Sequence, residues 1–515
     1  MRSIYYSHIP PSTAIRSIAP KMRVLKDTLA LILCYSCAFG VVFSPVRTFL
    51  ALSARQKLCG PLSLFAFYSV ASVSYVYGPS MIYSHSHSAL AAGACVVYGL
   101  LLLPLLYANS VGLMVALLLV AAIQGPLWCS ADTYIVNRAA QYTYFSKCAF
   151  FKISMPDDEN NNNIVPQLFA LFSCLLAAGA AVGHLLTASA FLALELQTFG
   201  ETDGRTEWVE AYHRVNDHCG MQYCDLDNFR ELPGFSIDSN YFANDSAFVE
   251  LLTSPASSIV PTYFVSVSAA VLTLGAVCAF CGISRMNVQF AAVGCSFKPP
   301  TRTHVLRDLT RLLTRPHSTY ALLIPPMMFR GVNEAFVHVL VAKAFIACLT
   351  DRSIVGYVFF SAYAFSAFLY TFLSTAIRQM SKWTFMLAAT AVQISVLTIM
   401  WLWHARADDQ PILYVIVTSS MMADTIFRVL CQLHIIEYYY PKEWETPLTG
   451  LRLFQSIGLS IGYGFSVLLP CFVASYICVF VLFLASTVPL VVLCLKERHG
   501  PPRIIYLHSR LIRNF

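Results

Sequence analysis

The sequence predicts an all-α membrane protein of twelve transmembrane helices in two sets of six. Three observations predict it. The 515 residues are 57% hydrophobic and only 12% charged, with a mean hydropathy of +0.62, against roughly 45–50% apolar and ~25% charged in soluble domains. Apolar stretches long enough to cross a bilayer recur from end to end. A basic segment divides them near the middle of the chain. So few charges cannot cover a soluble protein of this size, and disordered, coiled-coil and nucleic-acid-binding classes are excluded by the same composition. The net charge of +7 therefore reads as topology rather than as a nucleic-acid footprint.

The twelve spans are expected at 26–46, 61–83, 88–107, 111–134, 164–194, 259–282, 319–349, 353–376, 384–404, 411–436, 450–471 and 473–495. Asp27 and Arg47 crowd the ends of the first. The tail at 1–25 carries Arg2, Arg16, Lys21 and Arg23 but no short apolar core with a small-residue cleavage site, so the first span is expected to act as an uncleaved signal anchor. Counting Lys and Arg segment by segment, with Arg138 inside and Arg47 outside, puts most of them on one side and both termini in the cytoplasm. The bundles are then 26–282 and 319–495, joined by the basic linker 283–318, with a cytoplasmic tail at 496–515. The acidic loop 196–258 faces the lumen or exterior and holds the sequon Asn244-Asp245-Ser246, so Asn244 is the expected glycosylation site. Six spans, a basic linker and six more is the plan of the major facilitator superfamily, each half being two three-helix repeats. Within the linker, Arg302, Arg307, Arg311 and Arg315 lie among Leu306, Leu309, Leu312 and Leu313. That reads either as an amphipathic segment on the anionic leaflet or as an ordinary positive-inside loop.

Most of the 17 cysteines fall inside spans, where Cys packs as a small apolar residue. Cys219 and Cys224 stand instead in the acidic loop, as CGMQYC, and are expected to form a local disulfide in an oxidising compartment. The alternative, a metal site with nearby His213 and His218, lacks the second Cys pair that a zinc site uses. His85 and His87, in SHSHSA, read as exposed loop residues rather than ligands. No metal or cofactor site, P-loop or nucleophile elbow is found, and no enzymatic activity is expected.

Ionisable residues inside spans cost at least ~2.5–3.5 kcal/mol each at mid-membrane and should face protein or a wet cavity. They are Asp132 on the fourth span, Arg330, Glu334 and Lys343 on the seventh, and Asp424 and Arg428 on the tenth. Arg452 starts the eleventh, where it can snorkel to the surface. The fourth, seventh and tenth spans open three-helix repeats, whose first helices line the central cavity in the facilitator plan. Arg330 and Glu334 are four apart, as are Asp424 and Arg428, so each pair can neutralise itself on one helix face, and His338 continues the face of Glu334. Two uses fit: handling of a solute or proton by Asp132, Glu334 and Asp424, or pins between helices.

Longer motifs carry a resemblance. They are GPLSLFAFYSVASVSYVYGPSMI at 60–82, AAIQGPLWCSADTYIV at 121–136, LIPPMMFRGVNEAFVHVLVAKAFIACLT at 323–350, MMADTIFRVLCQLHIIEYYYP at 421–441 and TGLRLFQSIGLSIGYGFS at 449–466. In order and spacing these resemble the uncoordinated-93 family, a branch of the major facilitator superfamily. The likeness covers nearly the whole membrane core, including a Gly-Pro-Leu-Trp turn at 125–128, Tyr134, the pair Cys219 and Cys224, Gly331 with Glu334, Asp424, and Arg452 with Gly458. Asp132 stands where that family commonly has glutamine, and Gln455 where it commonly has glutamate. The resemblance implies a regulatory or trafficking partner of another membrane protein: most directly a potassium channel, as for a member that acts with two-pore-domain channels. A vertebrate relative instead escorts toll-like receptors from the endoplasmic reticulum. An ion-coupled small-solute transporter is the third reading. The expected partners are thus the bilayer, of plasma membrane or endomembrane, and a channel subunit or receptor, with no nucleic acid.

Overall fold

The computed structural model describes residues 14–52, 60–82, 87–106, 110–150, 164–199, 219–223, 259–283, 304–314, 319–350, 352–376, 381–404, 406, 409–439, 444–469 and 471–499. Asn244, Cys224, His85, His213 and His218 lie outside them.

Helix α1 runs from Ala14–Tyr35 through a π-helical stretch, Ser36–Phe43, into Ser44–Leu52. It is followed by α2 (Gly60–Ile82), α3 (His87–Leu106), α4 (Ser110–Phe150), α5 (Ile164–Phe199) and α6 (Ile259–Gly282). A short helix, α7 (His304–Thr314), leads into α8, which is Tyr320–Phe336 continued by a second π-helical stretch, Val337–Ala347. Then come α9 (Arg352–Ala376), α10 (Lys382–Leu402), α11 (Gln410–Tyr439), α12 (Glu445–Leu468) and α13 (Phe472–His499). Among the described residues, nine helices are long and apolar enough to cross a membrane. The chain is an all-α integral membrane protein. Helices α2, α8 and α12 stand at the other three expected span positions. The first is rich in Ser, Tyr and Gly, and the other two carry the charged residues of the site below.

The helices associate through small residues, as membrane helices must when lipid supplies no hydrophobic drive between them. The closest contact joins α8 to α12 at Gly331 and Gly458: a Cβ on Gly331 would stand 2.1 Å from the Gln455 carbonyl oxygen. Gly125 and Pro126 were expected in a turn, but both lie inside α4. Neighbouring α2 explains how. Pro126 has no N–H for the Ala122 carbonyl four residues back, and the Tyr77 hydroxyl donates to that oxygen at 2.6 Å. Ser74 Oγ accepts from the Gly125 N–H at 2.7 Å.

The two most extensive contacts between the halves are α5 with α9 and α2 with α12. Gly356 of α9 packs against Ala188 of α5. On the other side Ser69 Oγ meets Ser460 Oγ at 2.7 Å, Ser456 Oγ donates to the Tyr68 carbonyl, and Tyr68 stacks on Tyr463.

The linker helix α7 turns Val305, Leu309 and Leu312 into the protein and leaves Leu306, Arg307 and Arg311 exposed. It lies against α12, α2 and α8. Of the two readings of this segment, the amphipathic one needs Leu309 and Leu312 on the lipid surface, and both are instead covered by protein; Arg302 and Arg315 lie outside the described residues. His87 is also corrected. It opens α3, with Nδ1 2.7 Å from Ser130 Oγ and its ring against Tyr134.

Cys219 does not pair with Cys224. It is bonded to Cys348 at the end of α8, with the two Cα atoms 5.8 Å apart and 129 residues between them in sequence. The reason is tertiary. Residues 219–223 make a single 3-10 turn, with Gly220 at φ 75°, and lie against α13, α10 and α8. The Tyr223 carbonyl accepts the N–H of Phe472 at 2.9 Å. Cys471 is disulfide-bonded as well. Non-reducing peptide mapping is expected to recover Cys219 and Cys348 in one linked peptide. Recovery of Cys348 alkylated in unreduced protein is the contrary result.

Candidate functional site: a charged cavity between the halves

Each half contributes charged residues to a cavity of about 140 Å³, bordered by Arg47 of α1, Glu334 of α8, Asp424 and Arg428 of α11, and Arg452 of α12. Burial sets the problem: a charge taken out of water must be paired and hydrogen-bonded or the fold cannot hold it. The pairing that results runs between helices. It is not the pairing within helices expected from the four-residue spacing.

Arg330, 1% exposed, donates from Nε and Nη2 to the two oxygens of Asp424 at 3.1 and 3.2 Å, joining α8 to α11. Glu334 is held by Arg47, whose Nη1 lies 2.6 Å from Oε1, and by Gln455 Nε2, 3.1 Å from Oε2. Asp132 of α4 receives Nε and Nη2 of Arg452 at 3.2 and 3.1 Å, with that guanidinium 4.4 Å from the centre of the Trp128 ring. Arg452, expected at the membrane surface, is instead buried in a contact between the halves. Asp132 and Gln455, the two departures from the family pattern, both sit in these pairs. Lys343 does not line the cavity.

Arg47 was assigned to an external loop, yet it ends up buried at the centre of a network. The helix runs five residues past it, to Leu52. Besides Glu334 it reaches Tyr68 on α2, Tyr363 on α9 and Nε2 of His338 on α8, at 3.2, 3.0 and 2.9 Å. A guanidinium only donates, so His338 Nε2 accepts and the ring carries its proton on Nδ1, facing Thr48 Oγ1 at 2.9 Å. His338 is therefore a neutral imidazole clamped between two hydrogen bonds and stacked on Phe359. Arg138, assigned to a cytoplasmic loop, is likewise buried on α4, 2.8 Å from Asp27 and bonded to Tyr134.

Arg428 is the exception. It makes no ion pair among the described residues, and its Nη1 donates to Tyr370 Oη of α9 at 3.0 Å. Among the described residues no group of three or more His, Cys, Asp or Glu could hold a metal.

The sequence reading named Asp132, Arg330, Glu334, His338, Asp424 and Arg428, and the fold brings all six to one region, though in other partnerships. It missed Arg47, Gln455, Tyr363, Tyr370 and Ser366. For Arg47 a signal existed: a lone arginine at the end of an apolar stretch is as compatible with a longer helix as with a loop.

No protein-family model matches the chain. It is 24% identical over 368 residues to "Protein unc-93 homolog A" of Xenopus laevis, covering 70% of this chain and 69% of that protein. It is 19% identical to "Putative potassium channel regulatory protein unc-93" of Caenorhabditis elegans, over 63% of this chain and 43% of that one. A 188-residue stretch is 21% identical to the human "Protein unc-93 homolog A", 36% of this chain and 41% of the human one. Taken with the motifs spread over the membrane core, these similarities support membership of the Unc-93-like family.

Proposed function

We propose that this protein is a non-enzymatic regulatory partner of a potassium channel, built on the twelve-span facilitator plan with both termini in the cytoplasm and Asn244 glycosylated outside. The name of the nematode relative, which mentions potassium channel regulation, supports the channel. The plan is supported by the contacts between halves: a two-fold exchange of the six-helix sets turns the α5–α9 contact into the α12–α2 contact.

One observation carries the regulatory reading over the proton-coupled one. Asp132, Glu334 and Asp424 are each held by an arginine from another helix. A coupling carboxylate has to gain and lose a proton, and these are occupied in holding helices together. The arrangement suits a rigid body that presents a fixed membrane surface to a partner.

The test is co-expression with a two-pore-domain potassium channel, reading whole-cell potassium current and channel capture by the tagged protein. The expected result is a severalfold change in current with channel surface level scored in parallel. Unchanged current and no capture, with this protein present at the surface, would overturn the reading.

A further inference from the structure

Three arginines of the second half belong to the cavity region, and two of them do the same thing. Arg330 and Arg452 each present the Nε–Nη2 edge of the guanidinium to an aspartate. This is the fork that matches a planar carboxylate with two parallel hydrogen bonds. Arg428 lines the cavity but spends only Nη1, on Tyr370, and its buried Nε has no hydrogen-bond partner.

Other donors are unspent beside it. Ser366 lies one turn before Tyr370 on α9, lines the same cavity, is 2% exposed, and its buried Oγ has no partner. The Tyr370 hydroxyl accepts from Arg428, which leaves its own proton to donate. Arg428 and Ser366 line one cavity, and a buried polar group without a partner costs free energy, so their orphaned atoms, like the Nε of Arg47 in the same lining, mark a place where something hydrogen-bonds.

Charge points the same way. The cavity network contains Arg47, Arg330, Arg428 and Arg452 against Asp132, Glu334 and Asp424, with His338 neutral by its hydrogen bonds. One positive charge is left over, on Arg428. A monoanion balances it; a dianion would reverse the imbalance. Size limits the rest. A cavity of about 140 Å³ is close to the ~150 Å³ that accommodates benzene, a six-atom ring. Phe39, Phe43, Leu176, Met421 and Leu459 border it with apolar surface.

We infer that the cavity binds a small monocarboxylate, about four to six non-hydrogen atoms. Its carboxylate lies on the Nε–Nη2 edge of Arg428, with the Ser366 and Tyr370 hydroxyls donating to it and its short apolar tail against the aromatic wall. The site stands whether or not the protein acts on a channel.

Full-length protein in phosphatidylcholine nanodiscs, in chloride-free buffer, tests this with butyrate and pyruvate as probes. Butyramide serves as the neutral isostere of butyrate, and chloride as the competing small anion. Butyrate or pyruvate is expected to raise the melting temperature saturably, while butyramide and chloride do not. Arg428→Gln is expected to weaken binding at least tenfold, and Ser366→Ala about twofold to tenfold. Ser366→Ala leaves every charge in place, so it decides the matter if Arg428→Gln fails to fold. Three results would each overturn the site: no saturable shift with either probe, equal protection by chloride or butyramide, or unchanged affinity in both variants.

Discussion

Replacing Arg330 by methionine is expected to strip the protein from the cell surface, and replacing Asp424 by leucine in the same chain to restore much of it. Arg330 is 1% exposed, and both of its contacts to Asp424 are charge-assisted. Removing the arginine leaves a carboxylate buried without its bidentate partner. Breaking a buried pair from one side typically costs about 3–5 kcal/mol, whereas replacing both members by apolar groups is often neutral. Arg428→Ala should be mild by comparison, because Asp424 keeps Arg330. That ranking separates the inter-helix pairing from the one suggested by spacing, in which Arg428 would be the partner of Asp424. Surface level and detergent melting temperature of the two singles, the double and Arg428→Ala decide it. If Arg428→Ala proves as damaging as Arg330→Met, or the double no better than the single, the pairing described here is wrong.

Gly331→Ala is the second change expected to have a large effect. The added Cβ would stand 2.1 Å from the Gln455 carbonyl oxygen and 2.5 Å from the Leu459 nitrogen. Gly458 meets the same contact from α12, where an added Cβ would stand 2.0 Å from the Met328 carbonyl oxygen. Both obstacles are helix backbone, so no rotamer change can relieve them and α8 must move away from α12. That shift would also pull Glu334, three residues along α8 from the glycine, away from Gln455. Overpacking usually costs about 1–3 kcal/mol, and a clash against backbone belongs at or above the top of that range. Gly93 supplies the control. Its Cβ would meet nothing within 4 Å, and alanine there should be neutral or stabilising by up to about 1 kcal/mol through helix propensity. Equal melting of Gly331→Ala and Gly93→Ala would refute the close contact.

Much of the architecture was legible in the chain itself. The membrane class follows from composition, since no soluble fold can be covered with 12% charged residues. Helices stand at every segment where an apolar stretch was expected, because in lipid the backbone has few other ways to satisfy its hydrogen bonds. Of the six charged or titratable residues chosen inside spans, Glu334, Asp424 and Arg428 line one cavity, and Asp132, Arg330 and His338 bond to residues that line it.

Partnership was decided elsewhere. Spacing says that Arg330 and Glu334 share a helix face, but Asp424 and Arg47 approach them from other helices with better geometry, and periodicity carries no information about neighbouring helices. Arg47 and Arg138 looked like loop charges because a hydropathy boundary marks where lipid ends and not where a helix ends. The local spacing that joined Cys219 to Cys224 was equally blind to distant neighbours. A disulfide forms between the thiols that folding brings within reach, and it was the docking of residues 219–223 on the second half that brought Cys219 to Cys348. The sequence alone determined that this protein lives in a membrane, where its helices lie and which residues had to find partners. Which partners they found depended on helices far apart in sequence, and only the packed bundle holds that information.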